Sequence, residues 1–370
     1  MAPKKRSAAQ GGRTKKAQKK ESPKPQEEVQ LDTRALLSWL LSDEALSLAY
    51  PPIERGKGEV DWSDAEVQKG GKKAPPPPLQ RSGEGKTAKD GGKGEEETPL
   101  LYPAPYPAFS PFLTLVSSYL LSKPISHKLG LRTISTALNA PFNLRTRSAW
   151  EEIGYEGRRR VMWEAKTQHK EKSAEQLGEV LSGLRELEGD EKGDEHEDEL
   201  RKLKSEVDKA AKDTKGAESR AGAREAVQEH LTKIKGLGKG ACEIFIRRIQ
   251  HPWASLYPYA DSRSLEYAHE IGLLKEGLPE KDYTAPEDMD GLILERSKDL
   301  LAVFREGGLG GAEGGDGERE KFVRLLDVLV GLGLQKQLVE ARKRAAGGGA
   351  ANGGGKDNVK EEQEAGTAVA

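Results

Sequence analysis

Residues 231–274 read LTKIKGLGKGACEIFIRRIQHPWASLYPYADSRSLEYAHEIGLL, and this stretch decides the class of fold. Val227, Leu231 and Ile234 end one apolar stripe at helical spacing, and Ala241, Ile244, Phe245 and Ile249 form the next. Gly236-Leu237-Gly238 between them leaves room only for a tight turn, so the pattern predicts two helices joined by a glycine hairpin. Gly236 and Gly238 permit positive φ and carry no side chain, which lets backbone amides at the start of the second helix approach an anion closely. Lys233, Lys235 and Lys239 surround the turn. An ordinary helix-helix turn has the same glycines, so phosphate binding and plain chain reversal both stay open for the hairpin taken alone. Arg247 and Arg248, at the far end of the second helix, are placed to contact flanking phosphates.

The second half of the stretch narrows the choice. Pro252-Trp253 and Tyr257-Pro258-Tyr259 lead into Asp261, directly ahead of an amphipathic helix carrying Leu265, Ala268, Ile271 and Leu274. The arrangement resembles the HhH-GPD superfamily of DNA base-excision repair glycosylases, the endonuclease III-like fold. That signature is a helix-hairpin-helix, a Gly/Pro-rich loop and a following aspartate. The resemblance covers roughly residues 110–183 and 223–335, by analogy with the order of helices described for such domains. It implies that the hairpin amides at Gly236, Gly238 and Gly240 hold a DNA phosphate with Lys235 and Lys239 beside them, and that Asp261 is the catalytic carboxylate. Ser262-Arg263 follows Asp261 where the commoner pattern is Thr-His. Bifunctional members carry a lysine two positions after the hairpin's second glycine; here that position is Gly240. The resemblance therefore implies a monofunctional enzyme, and one without the iron-sulfur cluster of some members.

The residues also permit plainer roles. An aspartate before a helix is a preferred N-cap worth about 1 kcal/mol without catalysis, and both roles can coexist in Asp261. Tyr257, Tyr259 and Trp253 fit either stacking on an extruded base or wedging the duplex, or packing within the loop. Arg158, Arg159 and Arg160 fit either a phosphate contact or a solvated basic face, and Trp150 and Trp163 are assigned to the core.

Working outward, Ser110-Pro111 predicts an N-cap with proline at the first helical position, followed by Phe112, Leu115, Val116, Tyr119 and Leu120 at helical intervals. A second helix begins at Ser126 and buries Leu129, Ile134 and Leu138. Two more are expected up to Leu181, and others over 262–274, 292–304 and 318–334. No stretch alternates with period two, so the fold class is all-α. Residues 31–49 predict a short amphipathic helix capped by Asp32, which either docks on the core or binds a protein partner. Leu184–Gly222 holds 13 acidic and 9 basic residues; this charged insertion (184–222) is either disordered or a solvated helical arm over 197–212, and is the other candidate for protein partners.

Composition sets the limits. The 370 residues are 35% hydrophobic and 5% aromatic, against about 45–50% apolar for an ordinary domain. The deficit is expected in a basic tail (1–30), a linker (50–99) and a terminal tail (341–370), with the domain in two parts at 100–183 and 223–340. Cys242 is the only cysteine, which excludes a disulfide framework, a cysteine zinc site and a four-cysteine cluster. The six histidines show no ligand spacing, so neither metal nor other cofactor is expected. The longest apolar stretch is far short of the roughly 18 residues that span a bilayer. Residues 1–20 carry eight Lys and Arg with no acid, which favours nuclear import. The expectation is thus a nuclear, monomeric protein that binds double-stranded DNA and hydrolyses the N-glycosidic bond of a damaged or mismatched base. The alternative is a non-catalytic DNA-binding module of the same fold that recruits protein partners.

Overall fold

The computed structural model describes residues 32–51, 109–139, 141–189, 198–213, 217–279 and 286–347. The expectations for residues 1–30, for most of the 50–99 linker and for the tail beyond 347 lie outside the described residues. Every regular element within them is a helix. In chain order these are α1 (Thr33–Leu40), α2 (Asp43–Ala49), α3 (Pro111–Leu121), α4 (His127–Leu138), α5 (Arg147–Glu152), α6 (Gly154–Glu164), α7 (Lys170–Glu188), α8 (Arg201–Asp213), α9 (Ala217–Thr232), α10 (Lys239–Ile249), α11 (Ser262–Glu270), α12 (Pro286–Glu306), α13 (Asp316–Leu334) and α14 (Leu338–Ala346), with a 3-10 turn at Ala254–Leu256. None is long and apolar enough to cross a membrane.

The starts follow the local chemistry. Ser110 Oγ accepts from the Leu113 amide ahead of Pro111, Ser126 Oγ accepts from Leu129, and Thr146 Oγ1 accepts from Ala149. Two groups of helices share one core. α3 packs on α10, α6 lies against α7, and α8 against α9; α13 collects α1, α2 and α11, and also touches α10. α13 is enclosed because its sequence FVRLLDVLVGLGL is apolar on nearly every face, so that Phe322, Leu325, Val328, Leu329 and Leu332 are all buried.

Three expectations change. Residues 31–49 form two helices, because Ser42 ends the first and caps the second by accepting from the Ala45 amide at 3.2 Å. Both dock: Leu36, Leu37, Leu40, Ala45 and Ala49 are buried. Of the two readings of the charged stretch 184–222, the helical one holds over Arg201–Asp213, but this helix is docked rather than a solvated arm. α7 runs on to Glu188, and α8 turns Leu203 and Val207 inward while its many charges face out, so four apolar side chains (Leu184, Leu200, Leu203, Val207) are fully buried. Within 341–370, α14 continues to Ala346 and buries Ala341 and Ala345.

Candidate functional site

The hairpin forms at the turn between α9 and α10. Gly236 has φ +101°, and a Cβ there would lie 3.2 Å from Val180 Cγ2 and 3.4 Å from the Gln176 carbonyl oxygen of α7. Glycine is required at 236 by backbone conformation and by this close approach. The need differs at 238 and 240, where a Cβ would meet nothing within 4 Å. Gly238 is the N-cap of α10 with no side-chain cap, and the first amides to bond within the turn are Ala241 and Cys242, both to the Gly238 carbonyl. The exposed helix start at Gly238, Lys239 and Gly240 thus offers amides and the positive end of a helix dipole to solvent.

The lysines around it have acidic neighbours. Lys233 pairs with Glu229 at 2.9 Å, Lys235 with Glu179, and Lys239 with Asp290 at 3.8 Å. Lys235 is 81% exposed and is held above the usual ammonium range by Glu179. These surface pairs are weak and screened by salt, so a polyanion can compete for the cations.

Asp261 is fixed by a loop tied at several points. Gln250 donates to the carbonyls of Arg247 and Tyr259 at 2.8 and 2.7 Å and accepts from the Tyr259 amide at 2.8 Å. The Ala260 amide donates to Ser297 Oγ at 2.9 Å. The Asp261 carboxylate then accepts at Oδ1 from the Ser264 amide (2.8 Å) and hydroxyl (2.6 Å), capping α11, and at Oδ2 from Arg247 Nη1 (2.7 Å). Arg247 reaches on to Asp327 at 3.0 Å, and Arg248 joins the same Asp327 oxygen at 3.1 Å. Asp261, Arg247, Arg248 and Asp327 are 3%, 3%, 2% and 1% exposed, a buried group of two cations and two anions whose formal charges cancel. Burial works against the Arg247 charge, but Asp261 and Asp327 outweigh it and raise the guanidinium above its usual range. Tyr50, following α2, donates to the Asp327 carbonyl at 2.9 Å.

A cavity of about 810 Å³ opens beside this group. Its lining includes Gly240, Glu243 and Arg247 of α10, Asp261, Arg263 of α11, and Lys123 and His127 from the α3–α4 region. Gly240, at the hairpin end, and Asp261 therefore line one space. Burial, reinforced by Arg248 and Arg247, lowers His127 to about 4, so its ring is neutral at physiological pH. Cys242, in the first turn of α10, is fully buried, and burial followed by Glu243 pushes its thiol up to about 12.

Several expected contacts point inward instead. Tyr257 and Tyr259 are not placed to stack on a base: Tyr257 donates to Glu318 Oε1 at 2.8 Å and packs edge-on against Phe322, and Tyr259 is enclosed with the Arg224 guanidinium over its ring. The aromatic rings supply the large apolar surface that seats the loop on α13. Trp253 likewise packs edge-on against Phe245. Arg247 and Arg248 are interior ion-pair partners rather than phosphate contacts, since their helix face is covered by α13. The arginine run turns inward in part: buried Arg159 pairs with Glu171 at 2.7 Å, and Arg158 donates to the carbonyls of Trp150 and Ala174. Trp150 is buried, whereas Trp163 is half-buried and donates to Glu171 at 2.9 Å.

Sequence reading missed Asp327, Gln250, Ser297 and His127. Asp327 carried a usable signal, a single acid inside an apolar run, which demands a buried cation; the Arg-Arg pair within IFIRRI is its counterpart. Among the described residues no group of three or more His, Cys, Asp or Glu could hold a metal ion. Comparison of the chain with protein-family models, with curated proteins and with solved structures finds no match.

Proposed function

We propose that the protein is a monofunctional DNA glycosylase of the helix-hairpin-helix type, acting on a base turned out of duplex DNA. The observation that carries this reading is the shared cavity: Gly240, at the open amide end of α10, and Asp261 line the same space. In this reading the amides of Gly238, Lys239 and Gly240 hold a backbone phosphate, while Lys235 and Lys239 exchange their acidic partners for it. The absence of side chains at 238 and 240 leaves space for a close approach.

An extruded nucleotide enters the cavity at a cost of a few kcal/mol in stacking and pairing. Breaking the N-glycosidic bond builds positive charge on the sugar, and a carboxylate fixed beside it stabilises that charge. Asp261 is held for this by three donors, out of about four acceptor positions on a carboxylate. In this reading the remaining acceptor position takes the sugar or the attacking water. With Gly240 in the lysine position, base release leaves an abasic site rather than a cut strand. The eight basic residues within 1–20 favour a nuclear location.

The reading is tested by single-turnover base release on duplexes carrying one damaged or mismatched base. Wild type is expected to give strand breaks only after hot alkali, and Asp261→Asn, folded by circular dichroism, to lose at least about a hundredfold in rate. A second reading, a DNA-binding module without catalysis, is favoured by the extent to which Arg247 and Ser264 occupy Asp261. It predicts duplex binding that falls log-linearly with salt and no base release on any duplex.

A further inference from the structure

The hairpin that offers its amides to a phosphate is electrically balanced. Each of its three lysines meets a carboxylate, and the carboxylates stand on three different helices. Glu229 of α9 lies 2.9 Å from Lys233, Glu179 of α7 pairs with Lys235, and Asp290 of α12 lies 3.8 Å from Lys239, so three formal charges cancel three. The pairing is felt on both sides. Lys233 holds the Glu229 carboxyl below its usual range, and Glu179, with Glu175 adding to it, holds the Lys235 ammonium above its own. Glu179 is fixed to the turn by its own helix. Gln176 and Val180, on either side of it in α7, approach Gly236 so closely that a Cβ there would lie 3.4 Å from the Gln176 carbonyl oxygen and 3.2 Å from Val180 Cγ2. It is therefore side-chain rotation that frees Lys235. Exposed pairs of this kind open readily on contact, but at a distance they leave no net field to draw in a polyanion.

We propose that Glu179, Glu229 and Asp290 form a charge mask on the hairpin. It keeps the lysines from attracting phosphate at range, and yields them only to a backbone already seated on the amides of Gly238–Gly240. The inference rests on the preceding reading of the hairpin as a clamp for duplex DNA, and is independent of whether Asp261 catalyses. A duplex carries one charge per about 1.7 Å of its axis, so neighbouring phosphates reach Lys235 and Lys239, on the two sides of the turn, in one encounter. The mask acts on approach. Association is slower than the number of lysines implies, because the steering that an exposed cationic turn gives is cancelled.

The test is stopped-flow association of the full chain with a fluorescent undamaged duplex, comparing wild type with the triple variant Glu179→Gln/Glu229→Gln/Asp290→Asn. The variant is expected to associate at least about tenfold faster at about 50 mM salt, with the ratio falling toward one at about 0.5 M as screening removes the difference. A matched variant, Asp43→Asn/Glu44→Gln/Glu340→Gln, removes the same charge from surface pairs with Arg324 of α13 and Arg344 of α14. It should stay within about twofold of wild type. Helical circular dichroism and Tm confirm that each variant folds. An equal gain in both variants, or no gain in the first over a wild type that binds, overturns the mask and leaves the clamp standing. Failure of every chain to bind duplex at low salt sinks the clamp, and the mask with it.

Discussion

Asp261 shows how one side chain serves several ends. It caps a helix through Oδ1 and anchors a buried guanidinium through Oδ2. Its importance was legible because it stands immediately ahead of an amphipathic stripe, a local pattern. Its partner Arg247 was visible as a charge but not as an interior one, since Asp327, which draws both arginines inward, lies 79 positions from Arg248 in the chain. Tyr257 was legible as a residue that packs within the loop, but its acceptor was not, since Glu318 is 61 positions away. Glu318 is the residue through which acid should act. Arg305, aided by the Gly314 amide and the Tyr257 hydroxyl, holds its carboxyl at about 2 against the opposing effect of burial. A carboxylate lowered in the folded state contributes stability that is complete above its ordinary value of 4.5 and is lost as pH falls toward 2. Urea midpoints measured across this range should show wild type well above Glu318→Gln at pH 7, by about 1–3 kcal/mol, with the gap closing between pH 4.5 and 2.

At the scale of elements, caps and stripes made most helices legible, from Ser110-Pro111 to the α9–α10 hairpin. The docking of α8 escaped because its inward residues are few, Leu203 and Val207 one turn apart among eleven charged or small neighbours within Arg201–Asp213. Mean polarity hid a narrow apolar edge that is enough for a helix packed on one side. Leu203→Ala should therefore destabilise the fold by about 2–5 kcal/mol, read as a lowered urea midpoint with unchanged m. A solvated arm would give no shift. The hairpin has the opposite character, since its glycines announce it but do not say which is needed for what. Only Gly236 is demanded by φ and by Val180, while 238 and 240 are spaces.

In the whole molecule, the chain's early segment is part of the site's foundation. Leu36, Leu37 and Leu40 pack into the same core as α13, and Tyr50 bonds to the main chain at Asp327. No pattern in residues 31–49 reveals that destination, because docking partners are chosen by three-dimensional neighbours nearly the whole chain away. Leu37→Ala is expected to lower stability by about 2–5 kcal/mol and to shift the loss of helix and the exposure of tryptophan together, as a single cooperative transition in thermal unfolding. Cys242 makes that cooperativity measurable without a label being added. With one thiol in the chain, fully enclosed and raised to about 12, alkylation has to wait for α10 to open. Its rate is a built-in clock for the hairpin, one that any ligand seated on the amides of Gly238–Gly240 should slow.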